Sequence, residues 1–450
     1  MKVLHVVYSF PPDPPGGTEL YVDALCRALQ RRGIANVVTA PAAADGSYDW
    51  MGVRVRRFAI DRTPPTVARV YGADTQAAKR FADILAMEQP DVVHQHAVTS
   101  ACSHEIGREA HRTGVPVAFT YHTPTVSCTR GTLLHDGRER CDGRLDAARC
   151  GACTLQGLGV NQPIVTALEW MPQAAGRLVE RLQLEGGVWT AVRMRELIEL
   201  RHGVTRAVLE EADALVSLAP WVTELLRVNG VSSDRIVQSA HGLGVTRAAQ
   251  RGGRPDGPLR VAHLGRLDPV KGTRLLVEAA RAAADAPILL DVFGVVQHDG
   301  DRRRLAQFQA LAGPDRRIRF HSPLPPADVV RRLTEYDLLA VPSQWLETGP
   351  LVVLEAFAAG TPVLGSNLGG IADKVRHGVD GLLVTPHDDV AAWTAALRSC
   401  AADPARVARL RANVQQPRSM DDVAEDMHRL YASLGAARRR QPHAAPVAAR

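Results

Sequence analysis

Short apolar runs alternate with helical patterns along almost the whole chain. Val3 to Val7 has the length and β-branched content of a strand, and Pro11 to Gly17 reads as a loop. Tyr21, Ala24, Leu25, Ala28 and Leu29 then share one face of a helix that Gly33 closes. Further strands are expected at Val37–Thr39, Val92–His94, Val117–Thr120 and Ala214–Leu218. A second series begins at Leu259, with strands expected at Arg260–Leu264, Ile288–Phe293, Ile318–Phe320, Leu338–Val341, Pro362–Leu364 and Leu382–Val384. Met420 to Leu434 reads as a last amphipathic helix. Strands that alternate with helices in this way predict an α/β fold with parallel sheets.

Two stretches break the rhythm. Residues 128–153 are loop-like and rich in cysteine, and residues 162–211 form a long helical insert with many arginines. Thr246 to Pro258, with Gly252, Gly253, Pro255, Gly257 and Pro258, reads as a linker. The expected domains are 1–245 and 259–415, joined by the linker 246–258. A terminal helix at 416–434 and a disordered tail at 435–450 follow.

Composition narrows the class. At 450 residues two domains are expected, and 46% hydrophobic with 23% charged residues is ordinary for a soluble globular chain. No apolar run reaches membrane-span length, and Pro11-Pro12 stops the apolar start too early for a secretory signal, so a cytoplasmic setting is expected. The net charge of +6 suits anionic small molecules or an anionic membrane face. Nucleic acid is a poor partner, because aromatics are only 5% and no binding signature appears. The apolar positions Leu168, Trp170, Met171, Leu178, Val179 and Leu182 of the insert, beside its arginines, allow peripheral membrane contact or plain packing on the first domain.

In reduced surroundings, grouped cysteines point to metal. Cys128, Cys141, Cys150 and Cys153 are spaced C-x12-C-x8-C-x2-C in a Gly/Arg/Asp-rich segment, which fits a four-thiolate structural zinc site. An iron–sulfur cluster uses the same ligands, and four unligated thiols remain the alternative.

The richest stretch is Ser343 to Glu355, where Glu347 and Glu355 bracket Gly349-Pro350. It reads as a loop entering a helix, with Pro350 at the first helical position and the N–H groups of Leu351 and Val352 available to an anion. Two carboxylates beside an anion hole suit a ligand with both hydroxyls and phosphates, such as a nucleotide sugar. Gly265 to Gly272 places Arg266 and Lys271 where a strand opens into a helix, so the pair can neutralise a diphosphate; two solvated cations are the alternative. Gly16 and Gly17, after the first strand, admit a close ligand or make a plain tight turn. His122 follows the strand that ends at Thr120, while His94 and His96 fit a structural role best.

With Asn367-Leu368-Gly369-Gly370 and the turn Gly378 to Val384, these motifs make the second half resemble the retaining glycosyltransferases of family 4, which have the GT-B fold. The resemblance covers nearly all of Leu259 to Val384 and implies two facing Rossmann-like, doubly wound domains with a cleft between them. It implies that Arg266 and Lys271 hold the donor pyrophosphate and stabilise the leaving nucleotide. Glu355 would bind the ribose hydroxyls and Glu347 the transferred sugar, with backbone N–H groups from Gly349, Leu351 and Val352; Pro350 has none. His122 would face sugar or acceptor. Asp373 stands where the family often has glutamate and is given no role. The implied reaction is metal-independent transfer from a nucleoside-diphosphate sugar to a hydroxyl of a glycan or lipid-linked glycan. The rivals are a nucleotide-sugar epimerase or phosphorylase, and a non-catalytic zinc- and membrane-binding scaffold.

Overall fold

A computed structural model of the chain describes residues 1–14, 16–61, 66–171, 173–184, 186–244, 257–296 and 299–440. It divides into two units: Met1–Ser239 with the C-terminal stretch from Met420, and Ala240–Ser419.

The first unit is built on β1 (Lys2–Val6), β2 (Ala35–Ala42), β3 (Gly46–Trp50), β4 (Val53–Ala59), β5 (Val92–Gln95) and β6 (Val117–Tyr121). A small hairpin, β7 (Leu134–His135) and β8 (Glu139–Arg140), stands apart; β9 (Ala214–Ser217) and β10 (Ile236–Gln238) complete the main sheet. Its order is β10-β9-β6-β5-β1-β2-β4-β3, parallel except where β3 meets β4. The central strands are buried on both faces, which is why they read as continuous apolar runs. The hairpin β3–β4 was not legible in that way. β4, beside the edge strand β3, buries Val53 and Val55 on one face and Phe58 on the other, with three arginines between them, and the turn before it places Met51 and Gly52 at φ 51° and 83°.

The helix Gly17–Arg31 buries Tyr21, Val22, Leu25, Cys26, Ala28 and Leu29. Against that face packs the terminal helix Met420–Arg440, through Met420, Val423, Ala424, Met427, Leu430 and Tyr431. This helix runs past Leu434 to Arg440, so the expected tail begins as helix and its remainder lies outside the described residues. The insert forms helices Gln162–Glu169, Gln173–Arg181 and Gly187–Glu211, and Val165, Met194 and Ile198 make a small core with Leu155.

The second unit carries β11 (Leu259–Arg266), β12 (Ile288–Val295), β13 (Ile318–His321), β14 (Leu338–Val341), β15 (Val363–Ser366) and β16 (Gly381–Val384). All are parallel, in the order β13-β12-β11-β14-β15-β16. This is the doubly wound 3-2-1-4-5-6 order, which reverses direction between β11 and β14. Most of the expected linker, residues 246–256, lies outside the described residues. Among the described residues no helix is long and apolar enough to cross a membrane.

Candidate functional site

In a doubly wound sheet, ligands bind beyond the carboxyl ends of the strands at the reversal. The loops after β11 and β14 meet there, and they carry most of the residues singled out from the sequence. Gly272 has φ +69°, and a Cβ on it would stand 1.9 Å from the Pro342 carbonyl oxygen, so only glycine lets the two loops lie together. The Gln344 N–H donates to the Val270 carbonyl at 2.7 Å and joins them. Asp268 caps the 3-10 turn Pro269–Lys271 by accepting from the Val270 N–H at 3.1 Å.

These contacts place Lys271 against Glu347. Its Nζ is 2.7 Å from Glu347 Oε1, and Ser343 Oγ donates to the same oxygen at 2.9 Å. The ammonium also lies 4.9 Å from the centroid of the Trp345 ring. Glu347 is buried, so pairing with Lys271 offsets the cost of keeping a carboxylate out of water. Arg266 stands exposed at the end of β11.

The helix Leu351–Ala358 starts one residue later than expected, with Pro350 as its N-cap. The Val353 N–H is taken by the Pro350 carbonyl at 3.0 Å, which leaves Leu351 and Val352 as the first-turn donors of interest. Gly349 is buried, and a Cβ there would lie 2.6 Å from His241 Nδ1 and 2.7 Å from Lys374 Cε. Gly369 and Gly370 press on the Glu347-Thr348 backbone: the Gly370 N–H donates to the Glu347 carbonyl at 2.7 Å, and a Cβ on Gly370 would stand 2.6 Å from that oxygen. The glycine pair thus fixes the loop that carries Glu347. Glu355 sits one turn into the helix, and burial pushes its carboxyl up to about 7. Burial also lowers the Lys374 ammonium, against the pull of Asp373. Lys374, His241 and Trp345 escaped sequence reasoning; the clue to the first was a lysine four residues after Gly370, on the short helix Gly369–Lys374.

In the first unit, Gly16 is the N-cap of its helix and Gly17 its first residue. The Gly16 N–H donates to Glu19 Oε2 at 2.9 Å, and a Cβ on Gly17 would meet nothing within 4 Å. His122 is buried at the end of a chain of rings. Its Nε2 is 3.0 Å from His96 Nδ1; His96 Nε2 is 3.1 Å from His5 Nδ1; His5 Nε2 is 3.0 Å from Asn36 Oδ1. Asn36 Nδ2 donates to the carbonyls of Cys26 and Ile34, so Oδ1 is the acceptor toward His5. Burial holds His5 at about 4, His122 at about 3 and His96 well below its ordinary value, so all three rings are neutral near pH 7. The direction of every bond follows: each ring donates from Nε2, and His122 is left with Nδ1 as its acceptor nitrogen.

His94 is equally buried, with Nδ1 2.6 Å from Tyr431 Oη and Nε2 2.7 Å from Thr120 Oγ1, which ties the terminal helix to the sheet. His5, His94 and His96 each bring a ring nitrogen within 4.8 Å of the others, close enough to hold a metal ion. Every ring nitrogen of the three is nevertheless engaged in the hydrogen bonds just described, so the group is already satisfied as a polar network. Cys128, Cys141, Cys150 and Cys153 are free thiols that line one cavity.

Two family models match this chain: a glycosyl transferase 4-like domain over residues 16–242, and glycosyl transferases group 1 over residues 245–416. A D-inositol 3-phosphate glycosyltransferase of Acidothermus cellulolyticus is 29% identical over 396 residues, covering 83% of this chain and 75% of that protein. The enzyme of the same name from Nocardia farcinica is 34% identical over 221 residues, 46% of this chain and 48% of its own, so the match spans about half of that relative. Among solved structures, a sucrose-phosphate synthase from Thermosynechococcus elongatus covers 97% of this chain and 99% of its own, with a TM-score of 0.66 at 20% identity. Anabaena HepE, solved with UDP and glucose, covers 96% of this chain and 100% of its own, with a TM-score of 0.60 at 16% identity. By these matches and by its two doubly wound units, the chain belongs to the family 4 glycosyltransferases of GT-B fold.

Proposed function

We propose that this protein transfers a sugar, with retention at the anomeric carbon, from a nucleoside-diphosphate sugar to a hydroxyl acceptor. The observation that carries the reading is the Lys271–Glu347 pair at the sheet reversal, with Arg266 on the first loop and Glu355 on the helix that follows the second. Arg266 and Lys271 would take the pyrophosphate, the first by forked hydrogen bonds and the second as a point charge. Lys271 pairs with Glu347; diphosphate would draw off the ammonium and turn the carboxylate toward sugar hydroxyls. The first-turn N–H groups of Leu351 and Val352 add partial positive charge where the leaving phosphate gathers negative charge. Glu355, poised near neutrality, would ionise as two ribose hydroxyls donate to it.

The first unit would receive the acceptor. His122, neutral and with Nδ1 as acceptor, would orient a hydroxyl and form no covalent intermediate. The exposed Trp170, Leu178 and Leu182 of the insert, with its arginines, would bring the protein to an anionic membrane where a lipid-linked glycan waits. The seven cysteines, none of them in a disulfide, fit a reaction on the cytoplasmic side. The related enzymes named for D-inositol 3-phosphate make that acceptor a natural member of the test set.

The test measures nucleoside-diphosphate release from uridine, guanosine and adenosine diphosphate sugars, with and without D-inositol 3-phosphate or a lipid-linked glycan. Release that depends on acceptor supports transfer. Release or epimerisation without acceptor would favour an epimerase or phosphorylase, and no turnover with measurable membrane binding would favour a scaffold.

A further inference from the structure

We propose that Cys128, Cys141, Cys150 and Cys153 bind one zinc ion as four thiolates, and that this ion staples the segment that follows His122. Three local structures deliver the ligands. The 3-10 turn Pro124–Val126 comes just after His122, and Cys128 is tied to it by its N–H to the Pro124 carbonyl at 2.8 Å. The hairpin β7–β8 folds the chain back, and the Cys141 N–H closes its base on the Leu133 carbonyl at 2.9 Å. Asp146 then caps the helix Ala147–Gly157 by accepting from the Arg149 N–H, and Cys150 and Cys153 follow in its first turns. Their spacing of three puts both on one helix face. A turn, a hairpin and a helix start that aim four thiols at one cavity form the usual frame of a small zinc-binding fold.

Donors already surround the sulfurs. The Gly143 N–H is 3.5 Å from Cys141 Sγ, Arg130 Nη1 is 3.6 Å from Cys153 Sγ, and Arg149 Nη2 is 3.9 Å from Cys141 Sγ. A zinc ion with four thiolates carries a net double negative charge; Arg130 beside it offsets part of that charge, and Arg149, which also pairs with Asp142, adds hydrogen-bond donors. Among the described residues no three of the sulfurs lie within 4.8 Å of one another. A tetrahedral ion with Zn–S of about 2.3 Å would draw them closer.

The segment also needs a fastening. Its strands are two residues long, so although Leu133 and Leu134 are buried the hairpin has few ladder hydrogen bonds of its own. Leu133 and Asp136 hold left-handed backbone at φ 53° and 51°, a cost that something else must offset. On its other side the segment is secured: Arg201 donates to the Thr125 carbonyl, and Thr205 Oγ1 donates to the Val126 carbonyl at 2.8 Å.

The test uses the full chain, reduced and purified without metal-affinity resin, and reads zinc by elemental analysis and thiols by titration. Roughly one zinc per chain is expected, with four thiols unreactive until a chelator removes the ion. Trypsin should then cut at the exposed Arg140 and Arg144 at least ten-fold faster. Cys150→Ser with Cys153→Ser should abolish the zinc; Cys153→His, which keeps a ligand, and Cys400→Ser, a buried residue far along the chain, should retain it. Failure of the reduced wild-type chain to take up added zinc would overturn the proposal, whatever the variants do. So would zinc kept by the double variant, iron with sulfide in place of zinc, or two disulfides joining the four residues.

Discussion

The reversal of the second sheet and the end of the first carry opposite kinds of polar chemistry on the same frame. In the second unit the polar groups are charged and sit at loop ends: an ion pair between Lys271 and Glu347, an exposed Arg266, and a Glu355 near the edge of ionisation. In the first unit they are neutral rings on central strands, buried and joined end to end from Asn36 to His122. Charges that must bind and release an anion gain from partial solvent and exchangeable partners. A ring that must hold one tautomer gains from burial and from partners that never change. Removing a group from the second unit should therefore cost activity more than stability, and removing one from the first should cost stability.

The largest effect is expected at Lys271. Lys271→Ala should lower kcat/KM by roughly 100- to 1,000-fold, the scale of one lost charge-stabilising donor, with a lesser loss of thermal stability because the buried Glu347 carboxylate loses its cation. Steady-state kinetics beside a melting curve checks both; a large fall in melting temperature would blur the contrast. His94→Ala should do the reverse. It strands Tyr431 and Thr120 in the core, at a cost on the order of 2–3 kcal/mol and a fall of roughly 5–10 °C, while donor affinity measured by calorimetry is unchanged.

Glu355 sharpens the comparison with pH. Its carboxyl is raised to about 7 in the folded protein, so the free site is protonated below that value, while the ribose diol favours the ionised form. A nucleotide sugar, whose diphosphate does not titrate in this range, should bind more tightly as pH rises from 6 to 8. Glu355→Gln should flatten that profile and weaken binding about ten-fold, the scale of one charge-assisted hydrogen bond. The sign for stability is opposite. A carboxyl raised above its ordinary value favours the folded state at low pH and loses that advantage as pH climbs from about 4.5 to about 7, so the glutamine variant should melt higher at pH 8. The smallest effect is expected at the insert, where Trp170→Ser should reduce flotation with anionic vesicles a few-fold.

The two regions also differed in how far the sequence revealed them. Glu347, Gly349 and Glu355 lie in one loop and one helix, and Arg266 and Lys271 in another loop, so local spacing was enough to single them out. The relay behind His122 was hidden. His5 and His94 become neighbours only through the pairing of β1 with β5, and Asn36 joins through β2. Those contacts depend on strand register, which spacing does not encode. Lys374 and His241 were missed for a similar reason: they matter because glycine at 349 leaves room for both, and that packing belongs to the folded chain. β4, next to the edge strand β3, was obscured by its arginines: Arg54 faces water, but Arg56 pairs with the buried Glu88 and Arg57 donates to the Phe10 carbonyl and Tyr48 Oη, partners that spacing does not reveal.

The central claim, that the loops after β11 and β14 bind the donor through its diphosphate, is tested most directly by calorimetry with uridine, guanosine and adenosine diphosphates. At least one should bind the wild-type chain at a single site, and the double variant Arg266→Ala with Lys271→Ala should show no measurable heat with any of them. Equal binding by wild type and double variant would contradict the account, as would a wild-type chain that binds none.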